Sequence, residues 1–242
     1  MLNTKQIKLS KRLQASVDFV TCHSRVADIG CDHAYASIYL VQNTIADFCI
    51  AMDVKEGPLA KAKENIEKYG CKDKVETRLS DGLAKLKIGE VDTILITGMG
   101  GVLIQKILKD AKEVLANSKE LIVQPQSDQE LVRKYLHQLM FDIKEETMVK
   151  EDGKYYTSIY AVNNSYPVEK KAKRYAKKID YLFGKKLLDK KDPCLFEYLQ
   201  KKKRKYQQIL CHMENLGKTT KNEDYNKIQK MISDIKEALN RY

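Results

Sequence analysis

Val26-Ala27-Asp28-Ile29-Gly30-Cys31-Asp32-His33-Ala34-Tyr35 is an apolar run that ends in Asp-x-Gly and passes into a helical pattern. That succession predicts a strand, a tight turn and a helix start, which is where α/β enzymes seat nucleotide-like ligands. Gly30 lets the backbone turn and lets a ligand approach closely, and the helix beyond it offers unpaired N–H groups. The same geometry recurs downstream. Cys49-Ile50-Ala51-Met52 ends in Asp53, an acid placed where a ribose diol needs an acceptor, and Ser80-Asp81-Gly82 supplies a third acid. Thr93-Ile94-Leu95-Ile96 then runs into Thr97-Gly98-Met99-Gly100-Gly101, a loop with little side-chain bulk. Four strand ends of this kind describe a small-molecule pocket.

Working outward, apolar runs alternate with helical periodicity. Strands are predicted at 26–29, 48–53, 74–79, 92–97 and 120–124, with helices at 34–43, 57–69, 82–86, 101–116 and 127–140. Ile7, Leu9, Leu13, Val17 and Val20 predict a first helix laid against the first strand, with Arg12 on its polar side. Two further strands, 143–150 and 155–162, are joined by Glu151-Asp152-Gly153-Lys154, a turn that favours antiparallel pairing. The expectation is a seven-stranded mixed sheet with an antiparallel edge pair, the class I Rossmann-like methyltransferase layout; a hydride-transfer enzyme would continue with parallel crossovers.

Beyond Tyr166-Pro167 the pattern turns to sustained helix, so the expected domains are 1–163 and 164–242. Val168, Ala172, Tyr175, Ile179 and Leu182 form one seam. Leu195, Leu199, Lys202, Tyr206, Ile209, Met213 and Leu216 form a second, and Tyr225, Ile228, Ile232, Ile235, Leu239 and Tyr242 a third. These are heptad seams of a coiled coil. Asp192-Pro193 starts the second helix, and the short Gly217-Lys218-Thr219-Thr220 loop folds the third back on it.

Charge divides along the same boundary. Residues 1–162 hold 23 basic and 23 acidic side chains, whereas 163–242 hold 21 and 10, so the net +11 resides in the helical third. A neutral domain joined to a cationic one suits a polyanion held by one part and processed by the other. Lys170, Lys171, Lys173 and Arg174, with Lys201, Lys202, Lys203, Arg204 and Lys205, are the candidate nucleic-acid contacts. The six cysteines form no C-x-x-C pair, which argues against zinc and against a disulfide framework. Without a signal peptide or a long apolar span, the chain reads as cytoplasmic, with neither membrane nor metal among its partners. It is taken as a monomer, although helical seams pair equally well within or between chains.

The acids discriminate between cofactors. Cys31-Asp32 stands where a dinucleotide fold places its second glycine, and a carboxylate there opposes two phosphate charges. Asp28 and Asp32 instead favour a sulfonium carrying an ammonium group, hence S-adenosyl-L-methionine over a nicotinamide dinucleotide. Asp53 then reads as the ribose acceptor, Asp81 as the partner of the adenine amino group, and Gly82 as a nearby N–H donor. The flat glycine-rich loop suits an in-plane ring nitrogen, with Met99 as an apolar wall, and Gln124-Pro125-Gln126 is placed to read a base edge. From the residues alone, a methyltransferase of another RNA or of protein, and a non-catalytic RNA-binding scaffold with a vestigial pocket, remain open.

The strings Val26–Tyr35, Met52-Asp53-Val54, Gly57-Pro58-Leu59, Leu79-Ser80-Asp81-Gly82-Leu83, Ile96–Gly101 and Val123–Gln126 together resemble the TrmK family, bacterial tRNA (adenine-22-N1)-methyltransferases. The likeness spans roughly residues 7–162, and the helical tail fits that family's C-terminal coiled coil. Cys31 stands where the family usually has a small residue such as Ser, and Gln126 where Asn is common. The resemblance implies S-adenosyl-L-methionine as cofactor, tRNA as partner and methyl transfer to N1 of adenosine-22. It implies donor contacts from Arg12, Asp28, Gly30, Cys31, Asp32, His33, Asp53, Val54, Asp81, Gly82, Thr97, Gly98, Met99, Gly100 and Gly101. Asp32, His33 and Met99 are the candidate catalytic residues, Asp32 foremost, as a counter-charge to the methylated base.

Overall fold

The computed structural model describes residues 6–164, 174–217, 219 and 222–242. Two compact units divide it, Met1–Arg174 and Tyr175–Tyr242.

In the first unit seven strands form one sheet: β1 (Ser24–Ile29), β2 (Ala46–Asp53), β3 (Val75–Leu79), β4 (Thr93–Met99), β5 (Glu120–Pro125), β6 (Phe141–Glu151) and β7 (Lys154–Asn163). Their order is β3-β2-β1-β4-β5-β7-β6, and β7 pairs antiparallel with both neighbours. This is the expected mixed sheet. Ile94, Leu95, Ile96, Leu121, Ile122 and Val123 have no exposed surface, because helices cover both faces and a parallel strand then needs apolar side chains on each side. The β6–β7 turn places Asp152 and Gly153 at φ 48° and 73°, the left-handed pair that matches strand twist in a two-residue hairpin.

The covering helices are α1 (Lys11–Val17), α2 (Tyr35–Gln42), α3 (Glu56–Lys68), α4 (Gly101–Asp110), α5 (Lys112–Ala116) and α6 (Gln129–Gln138). Three expectations are corrected here. The first helix packs chiefly on β6, with β7, β4 and β5 beside it, and Ile7 and Leu9 precede it as non-helical chain. The predicted helix 82–86 is a turn: Ser80 Oγ accepts from the Lys85 N–H and donates to the Gly82 carbonyl, and Arg78 caps the Lys85 carbonyl while gripping Glu90 at 2.8 Å through each of two nitrogens. Side chains thus satisfy backbone groups that a helix would have paired. The predicted helix 101–116 is two helices, broken at Ala111.

Arg133 of α6 and Glu146 of β6 meet at 2.6 Å, with side chains only 1% and 0% exposed. Such a pair pins the helix to the antiparallel edge through charge and geometry, and removing one partner leaves the other charge stranded in a dry interior.

In the second unit α7 (Lys178–Phe183) and α8 (Lys185–Asp189) precede α9 (Pro193–Asn215) and α10 (Glu223–Leu239). Tyr225 Oη bonds Glu214 and Tyr242 Oη bonds the Asp192 carbonyl, so α9 and α10 form an antiparallel hairpin. Asp192 caps α9 by accepting from the N–H groups of Cys194 and Leu195. Leu195, Leu199, Met213, Tyr225, Ile232 and Ile235 are buried, but Leu216, expected in the seam, is exposed. The seam predicted from Val168 to Leu182 is not one helix. Its residues 168–173 lie outside the described residues; the Tyr175 N–H is taken by Tyr181 Oη, and helix begins only at Lys178.

Glu146→Ala should lower unfolding free energy by about 3–5 kcal/mol in urea denaturation; a loss below about 1 kcal/mol would show that Arg133 finds water once freed.

Candidate active site

Four segments from distant parts of the chain wall one cavity at the carboxyl ends of β1 and β4, with a volume of about 550 Å³. Asp28, Gly30, Cys31, Asp32, His33, Tyr35 and Ala36 come from the β1–α2 turn, Thr97 and Gly98 from the end of β4, and Gln126 from the loop after β5. Lys8, Leu9, Ser10, Arg12 and Leu13 close it from the N-terminal side.

The turn is built by backbone bonds. The N–H groups of Gly30 and Cys31 both donate to the Met52 carbonyl, at 2.8 and 3.0 Å, which swings the chain away from the sheet. Gly30 (φ 69°), Asp32 (φ 51°) and Ala34 (φ 59°) are all left-handed. For the two non-glycine residues that conformation costs roughly 1–2 kcal/mol each. Asn65 of α3 holds the turn by donating to the His33 carbonyl at 3.0 Å. A side chain at Gly30 would place its Cβ 2.3 Å from Met99 Cε, so the Met99 methyl packs directly on this glycine.

Two carboxylates differ sharply. Asp28 is buried at the cavity floor, where its Oδ2 accepts from Ser37 Oγ at 2.8 Å. Burial lifts its pKa to about 6; the Ser37 hydrogen bonds work against that rise, and the nearby Asp53 charge adds to it. Asp32 projects from the rim with its side chain 73% exposed, 3.5 Å from His33 Nε2. Burial and the surrounding Asp28, Asp53 and Asp32 push the Cys31 thiol far above its ordinary range, so it stays protonated and unreactive.

Arg12 faces the cavity while its Nε lies 3.6 Å from Glu151 and its guanidinium stands over the Tyr156 ring. The Glu151 carboxylate also accepts the Lys11 N–H at 2.7 Å, so the tip of the β6–β7 hairpin anchors the start of α1. Gln124, expected to read a base edge, is instead fully buried. Its Nε2 donates to the Arg12 carbonyl and to the hydroxyls of Ser16 and Ser158, fastening α1 to β5 and β7. Gln126 is the exposed member of that motif.

Several expected residues stand off the cavity wall. Half-buried Asp53 ends β2 and exposed Val54 follows it, and Asp53 Oδ1 accepts the Lys55 N–H at 2.9 Å. Exposed Asp81 borders a separate concavity of about 100 Å³ with Leu83, Leu103 and Lys106, and Gly82 is buried beneath Ile107. Met99 and Gly100 lie just beyond Gly98, a left-handed residue at the β4–β5 register shift. Gly101 is bare for packing, since a Cβ there would lie 2.6 Å from the Ser127 carbonyl oxygen. Lys8 and Ser10, which no local motif marks, also line the wall, as does Tyr35, the last residue of the Val26–Tyr35 motif, to which the sequence assigns no role of its own. Among the described residues no cluster has the makings of a metal site, and no helix is long and apolar enough to cross a membrane.

On the second unit, Lys201, Arg204 and Lys205 are exposed along α9. Lys202 donates to Tyr198 Oη at 2.9 Å and lies over the rings of Tyr198 and Tyr206. Lys203 is half-buried; Arg174, the last residue of the first unit, is exposed, and Lys170, Lys171 and Lys173 lie outside the described residues.

Known proteins share this fold. The TrmK family profile, tRNA (adenine(22)-N(1))-methyltransferase, matches residues 26–237. The chain is 39% identical over 156 residues to the Bacillus subtilis tRNA (adenine(22)-N(1))-methyltransferase, a stretch covering 64% of this chain and 66% of that protein. A putative tRNA (m1A22) methyltransferase from Streptococcus pneumoniae, solved in complex with S-adenosyl-L-methionine, superposes with a TM-score of 0.84 at 31% identity over 96% of this chain and 100% of its own. TrmK from M. capricolum, bound to the cofactor product S-adenosyl-homocysteine, gives 0.82 at 28% identity, covering 96% and 98%.

The buried Asp28 predicts a pH effect on the ligand-free protein. Its folded pKa, about 6, exceeds the ordinary value of 3.8, so the stability it leaves intact below about pH 4 is lost as pH rises through 6. Asp28→Asn should therefore gain stability relative to the parent between pH 4 and pH 7 in thermal melts; a constant difference would rule the assignment out.

Proposed function

The chain belongs to the TrmK family of tRNA (adenine(22)-N(1))-methyltransferases, and from that membership we infer that it transfers a methyl group from S-adenosyl-L-methionine to N1 of adenosine-22 in tRNA. The observation that carries the reading is the cavity between β1 and β4, whose wall mixes acids with cations around a glycine turn. That donor is itself mixed in charge, with a sulfonium, an ammonium and a carboxylate. Asp28 and Asp32 suit the cationic groups, and Lys8 and Arg12 suit the carboxylate. Gly30 and Gly98 bring bare backbone to the ligand. The adenosine half would extend along the neighbouring strand ends toward Asp53 and Asp81, past Val54 and Leu79, apolar side chains left 59% and 48% exposed there. Thr97, Gly100 and Gly101 shape the loop behind it.

When bound, the donor supplies an electrophilic methyl whose S–C electron pair returns to sulfur as N1 bonds the carbon with its own lone pair. N1 carries no proton to remove, so the protein need not furnish a strong base. Its residues position and desolvate the reactants, an effect worth several kcal/mol, about 7–11 in well-oriented intramolecular reactions. Asp32 at the rim is the counter-charge for the base that turns cationic, and His33 steadies that carboxylate. Met99 packs an apolar wall behind the reacting edge. N1 belongs to the pairing edge of adenine, so the nucleotide must be unpaired or extruded to enter.

Residues 1–163 form the donor-binding domain of this reading, and 164–242 the arm that holds tRNA through Arg174, Lys201, Lys203, Arg204, Lys205 and Lys202 on its tyrosine shelf. Such contacts set register without reading sequence. With tRNA as substrate, the protein works in the cytoplasm.

Incubating the protein with S-adenosyl-L-methionine and unmodified tRNA, then mapping nucleosides by mass spectrometry, should reveal N1-methyladenosine at position 22 alone; methylation elsewhere, or none, refutes the reading. Asp32→Ala should cut turnover about 100-fold or more while tRNA affinity holds. Neutralising Lys201, Lys202, Lys203, Arg204 and Lys205 should weaken tRNA binding and flatten its salt dependence by about 0.7–0.9 log unit per lost phosphate contact; an unaltered slope would mean that those cations face only solvent.

A further inference from the structure

Tyr35, at the first position of α2, is one of the residues that line the cavity and is 42% exposed. Its centroid lies 5.5 Å from that of His33, with the planes inclined by 37°. His33 in turn reaches Asp32 at 3.5 Å. An aromatic pair and a solvent-facing carboxylate therefore share one rim.

The backbone is strained to keep them there. A helix start made for its own sake would carry a capping side chain, yet the cap position is Ala34, left-handed and without a side-chain cap. Asp32 is left-handed as well, and Asn65 clamps the carbonyl between them. The outcome of that strain is that Asp32, His33 and Tyr35 face the same opening.

We propose that Tyr35 is the stacking surface for the extruded target adenine, backed by His33 and flanked by Asp32; this rests on the adenosine-methylating function argued above. A purine face fits flat on a phenol ring, and such stacking needs no sequence readout. With its face so held, the base can turn its N6–H edge toward Asp32. The base becomes cationic on methyl transfer, and an aromatic face together with a carboxylate favours that charge. Gly30 and buried Asp28 lie deeper in the cavity, on the donor's side, whereas Tyr35 is exposed at the entrance.

The test uses the full chain with Tyr35→Phe, Tyr35→Leu and Tyr35→Ala, and measures tRNA methylation kinetics, S-adenosyl-homocysteine affinity by calorimetry and thermal melting. Phe keeps the ring and should stay within about twofold of the parent. Leu and Ala should lower kcat/KM for tRNA about 5- to 100-fold while affinity for S-adenosyl-homocysteine holds within about twofold. Leu preserves bulk, so it decides the matter if Ala unfolds. Leu matching the parent in turnover would overturn the proposal. So would a loss of S-adenosyl-homocysteine affinity parallel to the loss of turnover, which would put Tyr35 on the donor's wall. A parent protein that methylates no tRNA would overturn the assigned function and the stacking role together, whereas an active parent with an equally active Leu variant overturns the stacking role alone.

Discussion

The Met52 carbonyl at the end of β2 accepts two consecutive N–H groups, from Gly30 and Cys31, and that bifurcated clasp turns β1 out of the sheet. The path of the chain into α2 inherits its direction from this clasp. Three left-handed residues alternate along 30–34, and two of them are not glycine. Their cost is offset by bonds from outside the turn, the Asn65 amide on the His33 carbonyl and the Ser37 hydroxyl on Asp28. A relaxed turn would let Asp32 and Tyr35 drift apart, and the rim would lose its shape.

The site separates two kinds of acid by depth. Asp28, sealed at the floor, has its pKa lifted to about 6 by burial, whereas the Asp32 side chain stands in solvent. A carboxylate buried this deeply is costly to ionise, and a cationic group beside it would offset that cost. The opposite wall is cationic, and it depends on an element far away in sequence. Gln124, Ser16 and Ser158 lock α1 to β5 and β7, while Glu151 and Tyr156 restrain Arg12. The antiparallel edge that distinguishes the sheet therefore also shapes the pocket.

Local chemistry determined much of this in advance. Asp28, Gly30, Asp32, Thr97 and Gly98 were legible because strand, turn and glycine follow one another within a few residues, and a parallel strand ending in such a turn leaves little choice of backbone path. The seven strands were legible for a similar reason, since doubly covered strands need continuous apolar runs. Periodicity misled where side chains replaced backbone partners. Residues 82–86 have helical spacing, yet Ser80 and Arg78 satisfy their peptide groups; Tyr175 continues a heptad, yet its N–H is bound by Tyr181.

By itself, then, the sequence determined the succession of strands and the acids at the strand ends, because both follow from contacts between residues near one another in the chain. Only the tertiary structure decided which polar groups face the cavity. Gln124 and Gln126 are two residues apart in one motif, and one is sealed under α1 while the other is open to solvent. Lys8, Ser10 and Arg12 reach the wall because α1 is docked over the far end of the sheet, an arrangement that long-range hydrogen bonds and burial fix and that no stretch of sequence contains.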